Sequence, residues 1–307
     1  MFSHKAAGAF SIPPPHLLWP LIIVAIGSLS CASILIRMAD APSLAVATYR
    51  VVLASILLGP LFARKALRKR DPWTKKTLLL CALSGLCLAL HFIFWIHSIG
   101  LTSISSSTTL VSTTPLFAAL FSRIFLGERM DKGLWQGLGF ALLGSAIVAG
   151  ADFSVSPGAL LGDLLAVLGA VMAAGYLMCG RHVRQIIQLP AYVFASYGIA
   201  SLVLLAGCLL TQTPLQGFSW ETYGAMVLLA LVPQLIGHTL FNWTLKFLSP
   251  TSVAVLILGE PIGATLLAYL LLQETLPWPR AAGLVILGLG VIHCSRAALS
   301  RKATTEP

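Results

Sequence analysis

A glutamate and a proline, Glu260 and Pro261, interrupt the apolar run "VAVLILGEPIGATLLAYLLLQE" (253–274). In a helix that run is long enough to cross a bilayer. A carboxylate near mid-membrane costs roughly 2.5–3.5 kcal/mol on insertion scales. It therefore turns toward protein or internal water, and it is a candidate for binding a proton or a substrate's amine. The competing reading is a protonated side chain bonded to a neighbouring helix. Pro261 removes a backbone donor and loosens the helix beside the acid.

Other polar residues sit in apolar surroundings at helical spacing. Gln234, His238 and Asn242 recur every four residues, so they share one helix face. Ser84, His91 and Ser98 recur at intervals of seven, with Trp95 one turn beyond His91. Two such stripes suggest facing walls of one cavity, although a single histidine in a membrane helix more often serves a helix–helix hydrogen bond. Arg50 lies about seven residues into an apolar run and reads as a structural or gating ion-pair partner. The stretch "LTSISSSTTLVSTTP" (101–115) carries ten hydroxyls in fifteen residues. Ser105, Thr109 and Ser112 can line one face, and Pro115 follows them. Hydroxyls also bond their own helix carbonyls. Asp163 reads as a helix N-terminal carboxylate, and Gly133, Gly137 and Gly144 as points of close helix approach.

The elements that must hold these groups are set by composition. Of 307 residues, 57% are hydrophobic and 10% charged, against about 25% charged in soluble domains. The mean hydropathy is +0.90. These values predict an all-α integral membrane protein with spans near 17–38, 43–62, 77–98, 103–125, 133–150, 159–179, 191–210, 221–243, 251–272 and 280–296. The first run reads as a retained span rather than a cleaved signal, leaving 1–16 and 297–307 as tails. Net charge +10 could suggest nucleic acid, but the largest basic cluster, "ARKALRKRDPWTKK" (63–76), joins two apolar runs. With the N-terminus inside, nearly all Lys and Arg fall on the inner side. Only Arg37 and Arg280 fall outside, and Arg50 within a span. That asymmetry predicts ten spans with both termini cytoplasmic. The six cysteines fall within or at the ends of apolar runs without paired spacing, so neither a disulfide nor a metal site is expected.

The chain also contains itself twice. Pro115 in "TTPLFAALFSRIFLGE" (113–128) and Pro261 in "GEPIGATLLAYLLLQE" (259–274) are each followed thirteen residues later by a glutamate, Glu128 and Glu274. At the same offset of 146, Gly137 matches Gly283 and Gly144 matches Gly290. Upstream the offset drifts by one or two, pairing His91 with His238 and Tyr49 with Tyr197. The two segments 17–150 and 159–296 thus hold five spans each. An odd number inverts the second relative to the first, and inverted repeats are characteristic of secondary transporters with a midplane site. The two charged candidates are not duplicated: Glu260 has Thr114 as its mate, and Arg50 has Gly198.

Proline, then apolar residues, then "LGE" with a glycine-rich helix after it resembles the EamA-type repeat of the drug/metabolite transporter superfamily. The segments "IRMADAPSLAVATYR" (36–50), "HFIFWIHSIGLTSISSSTTLVSTTPLFAALFSRIFLGER" (91–129), "GDLLAVLGAVMAAGY" (162–176) and "GHTLFNWTLKFLSPTSVAVLILGEPIGATLLAYLLLQE" (237–274) carry the resemblance, which extends over 17–296. The second half departs from the first at Gln273, where the first has Gly127. Members export or import amino acids, drugs, sugars or other metabolites, so the resemblance implies topology and transport rather than a substrate.

The expected function is a secondary transporter of a small amphiphilic metabolite, an amino acid or related compound. It would work by alternating access in a bacterial inner membrane, with export as the expected direction and protons as a candidate coupling ion. No GxxxxGK[ST] loop occurs, and no cofactor is called for. The competing class is an intramembrane enzyme: "HTLFN" fits HxxxN, but no two glutamates are adjacent, and HExxH and GxSG are absent. A sensor built on a transporter scaffold is a third reading. Oligomeric state is not encoded in these patterns.

Overall fold

The computed structural model describes residues 13–68, 71–102, 104–127, 132–150, 157–271, 273 and 276–303. Among them all regular structure is helical. The chain runs α1 (Pro15–Ser30), α2 (Ala32–Met38), α3 (Ser43–Arg68), α4 (Lys75–Leu101), α5 (Ile104–Val111), α6 (Thr114–Phe121), a π-helical turn (Ser122–Leu126) and α7 (Lys132–Gly150). It continues as α8 (Pro157–Arg184), α9 (Leu189–Leu210), α10 (Trp220–Leu229), a π-helical segment (Ala230–His238), α11 (Thr239–Thr244), α12 (Pro250–Ile257), α13 (Glu260–Leu271) and α14 (Trp278–Ala303).

Local chemistry sets the helix starts. Thr74 accepts the Thr77 amide at 3.1 Å, and the Thr77 hydroxyl accepts the Thr74 amide at 2.8 Å, a reciprocal cap on α4. Ser249 caps α12 by accepting the Ser252 amide, with Pro250 in the first turn, where its missing N–H costs nothing. Eight helices among the described residues are long and apolar enough to cross a membrane. At the remaining two expected positions stand α7 and the shorter apolar stretch Trp278–Cys294 of α14.

The duplication is visible in the packing. The helix α4 lies on α8, while α1 lies on the π segment 230–238, so the third element of each repeat packs on the first of the other. The helices α7 and α14 cross through the glycines. A Cβ on Gly137 would stand 2.9 Å from the Gly290 carbonyl oxygen, and one on Gly144 would stand 2.6 Å from that of Gly283. Since 137 corresponds to 283 and 144 to 290, one contact is the pseudo-symmetric image of the other. Dispersion between backbones this close holds helices together where lipid supplies no hydrophobic drive.

Both repeats break a helix at the same place. The chain leaves the α-helix after Val111 and again after Ile257, 146 residues on, and re-enters it at Thr114 and Glu260. A proline stands next in each case, at Pro115 and Pro261, without a donor for the preceding turn. The Gly127/Gln273 departure also acquires a meaning. Both residues are left-handed, with φ of 67° and 56°, so the second repeat places a side chain where the backbone favours glycine.

Candidate functional site

The helix breaks meet in the interior. A cavity of about 60 Å³ lies between the repeats. From the first repeat, Leu29, Ala32, Arg50, His91 and Trp95 line it, joined by Val111, Ser112, Thr114 and Pro115 around the α5–α6 break. From the second come Ala173, Tyr176 and Leu177 of α8, then His238, Phe241 and Asn242. Ala254, Ile257, Leu258 and Glu260 around the α12–α13 break complete it. The lining is mostly apolar, with a few converging polar groups, as in small-molecule sites generally.

Glu260 opens α13, where the unsatisfied N–H groups of a helix start favour a negative charge. Together with the cavity, this position accounts for a carboxylate inside an apolar span. Arg50 is its counterpart. Its side chain is 0% exposed. Nε donates to Gln234 Oε1 at 2.9 Å, and the guanidinium carbon lies 4.1 Å over the Phe92 ring. A desolvated cation–π contact of this kind is worth about 2 kcal/mol. Arg50 and Glu260 line the same cavity.

Both histidines line the same cavity. His91 Nδ1 donates to the Gly169 carbonyl at 2.9 Å, which puts the proton on Nδ1 and leaves Nε2 an acceptor in the neutral ring. Its ring stacks on Trp95, with centroids 5.8 Å apart and planes 10° apart. His238 meets Phe92 edge-on at 5.5 Å and Tyr176 at 6.5 Å. Asn242 Nδ2 donates to the Tyr176 hydroxyl at 2.5 Å.

The structure therefore brings Glu260, His91, Trp95, His238, Asn242, Ser112, Arg50 and Pro115 to one cavity. Pro261 stands behind Glu260 and shapes the break without lining the cavity. Gln234 departs from the expected stripe. The π segment containing Pro233 changes the helical phase, so that Gln234 holds Arg50 instead of facing the cavity. Thr109 points elsewhere, donating to the Ser145 carbonyl of α7 at 3.2 Å. The Ser105 side chain lies outside the described residues. Ser84 bonds the Tyr192 hydroxyl at 2.8 Å, and Ser98 bonds Ser107 at 2.5 Å. Asp163 caps no helix start: it lies in the second turn of α8 and accepts from Ser106 at 2.8 Å. Tyr176 and Thr114 also line the cavity and are absent from the sequence-based candidates. Among the described residues, no group of three or more His, Cys, Asp or Glu side chains could hold a metal.

Comparison with known proteins agrees with this architecture. The family model described as the EamA-like transporter family matches residues 16–150 and again 160–296. The chain belongs to that family. Uncharacterized transporter YxxF of Bacillus subtilis is 22% identical over 74% of this chain and 72% of its own length. An uncharacterized transporter of Archaeoglobus fulgidus is 26% identical over 80% and 85%. Pseudopaline exporter CntI of Pseudomonas aeruginosa is 25% identical over 56% of this chain and 58% of the exporter. One solved crystal structure superimposes with a TM-score of 0.74 at 19% identity, over 93% of this chain and 99% of the other. That likeness establishes a shared fold. The EamA assignment makes the duplicated helices a transporter scaffold in a membrane, with the cavity between its repeats.

Proposed function

We propose that the protein is a secondary transporter that moves a small amphiphilic metabolite, an amino acid or related compound, by alternating access. The observation that carries this reading is the cavity between the repeats, walled on both sides by broken helices and holding one buried cation and one carboxylate. Broken helices with polar groups at the repeat interface are the recurring site architecture of such transporters. In this reading the segments 17–150 and 159–296 are inverted five-span repeats, ten spans in all. The lysine and arginine asymmetry then puts both termini in the cytoplasm.

A volume of about 60 Å³ holds a few waters, whereas ligand sites measure roughly 300–1,000 Å³. Entry of a metabolite thus requires the repeats to rock apart. The two glycine crossings of α7 and α14 serve in this reading as their common fulcrum. Trp95 and His91 offer an aromatic face, Asn242 and Tyr176 offer hydrogen bonds, and Glu260 receives the substrate's amine or a proton. Export is the favoured direction, since one relative is named an exporter. The inner membrane of a bacterium is the favoured location. Relatives named as transporters weigh against an enzyme.

The test is untargeted metabolite analysis of medium from cells producing the wild type, the Glu260→Gln variant or neither, at equal membrane levels of the two proteins. A compound enriched outside only with wild type is the expected result. Equal enrichment with the variant removes Glu260 from the cycle, and no enrichment counts against export.

A further inference from the structure

We infer that Arg50 reads the substrate directly: the free edge of its guanidinium receives the carboxylate of a small zwitterion whose ammonium group faces Glu260. This rests on the transporter reading and assigns it a substrate class. The sequence alone favours a structural or gating role for Arg50.

The hydrogen bonding of Arg50 is incomplete. A guanidinium carries five N–H donors in a planar fork. Arg50 is 0% exposed and spends Nε on Gln234. Both terminal nitrogens, Nη1 and Nη2, are buried with no hydrogen-bond partner among the described residues. Burying a charge without hydrogen bonds is expensive, and buried polar groups are otherwise almost always satisfied. Here the unsatisfied donors belong to a side chain that lines the cavity. The Phe92 ring beneath and the Gln234 amide behind hold the fork still.

The pattern of what is free selects the ligand. With Nε occupied, the end of the fork remains, two parallel N–H groups matched to the two oxygens of a carboxylate. One more buried donor on the cavity wall, Trp95 Nε1, lacks a partner among the described residues. The oppositely charged groups of the lining are Arg50 and the deprotonated form of Glu260, which sum to zero. A dianionic phosphate would meet one cation and one carboxylate, and a simple amine would leave the guanidinium unanswered. A zwitterion answers both charges. The repeats share neither position, since Gly198 and Thr114 stand at the equivalent sites.

The experiment uses the full-length chain in nanodiscs. Binding of the proteinogenic L-amino acids is measured by calorimetry, and each binder is compared with its own carboxamide, which keeps the amine and loses the charge. The expected result is a free acid that binds, with a carboxamide weaker by about tenfold or more, the scale of hydrogen bonds to a charged group. In Arg50→Gln, acid and carboxamide then bind alike, because the group that told them apart is gone. Arg50→Lys keeps the charge without the fork and retains only part of the preference. Melting temperature and gel-filtration profile establish that both variants are folded. The assignment is overturned if no free acid binds, if wild type binds the carboxamide equally well, or if Arg50→Gln keeps the full preference. A merely structural arginine would weaken both ligands in parallel. A compound without a carboxylate in the export assay overturns this assignment and leaves transport standing. A carboxylate that binds but never crosses the membrane does the reverse.

Discussion

The two helix breaks invite comparison. After Val111 and after Ile257 the backbone does the same thing, 146 residues apart, with a proline in each following turn. The side chains that open the second half-helices differ completely: Thr114 turns its hydroxyl back to the Val111 carbonyl at 2.6 Å, while Glu260 presents a carboxylate to the cavity. The same split recurs between Arg50 and Gly198. Backbone and glycine contacts follow the duplication, and charge departs from it. A moving scaffold benefits from two equivalent halves, whereas a substrate with distinct ends requires a site that is not symmetric.

Making the breaks chemically alike should have the largest effect. Glu260→Thr copies the first break into the second and is expected to lower transport about a hundredfold, the scale set by removing one partner of a buried charge pair. Adding Thr114→Glu should not restore it, because the carboxylate then sits at the wrong end of the asymmetric site. Recovery in an export assay would show that position does not matter. Next comes the symmetric part. Gly144→Leu drives a side chain into the α14 backbone and is expected to cost about 3 kcal/mol or more, read as a lowered melting temperature in detergent. An unchanged melt would remove the close crossing from the account. The smallest effect is expected at Gln273. Gln273→Gly relieves the left-handed strain that Gly127 avoids in the first repeat and should raise stability by up to about 1 kcal/mol, with transport unchanged.

Much of this arrangement was legible in the sequence, for reasons that particular residues show. Apolar runs reveal spans because lipid leaves helices few alternatives. The bend at Pro261 was legible because proline acts locally on its own helix, whereas the matching break at Pro115 was not read from the sequence. Glu260 stood out because a charge in an apolar run is expensive wherever it points. Less was legible where three-dimensional neighbours decide. Ser84 and Ser98 share a helix face with His91 but lie about 10 Å away along the axis, beside α9 and α5 instead of the cavity. Gln234 lost its place in the stripe to a π-helical segment that α-helical counting does not anticipate. Tyr176 fell near the expected end of its span at 179, where tyrosine suggests the membrane interface. The helix α8 in fact continues to Arg184, so Tyr176 lies deep enough to meet Asn242. Arg50 was visible, but its unpartnered donors were not, because they emerge only once every neighbour is in place.

The central claim is that the cavity between the repeats is reached from each side of the membrane in turn. The most direct test places one cysteine on its wall, Ser112→Cys, after replacing the six native cysteines. A membrane-impermeant maleimide is then applied to right-side-out and to inside-out vesicles. The account predicts labelling in both preparations. Labelling from one face only, in a protein shown to transport, would contradict it.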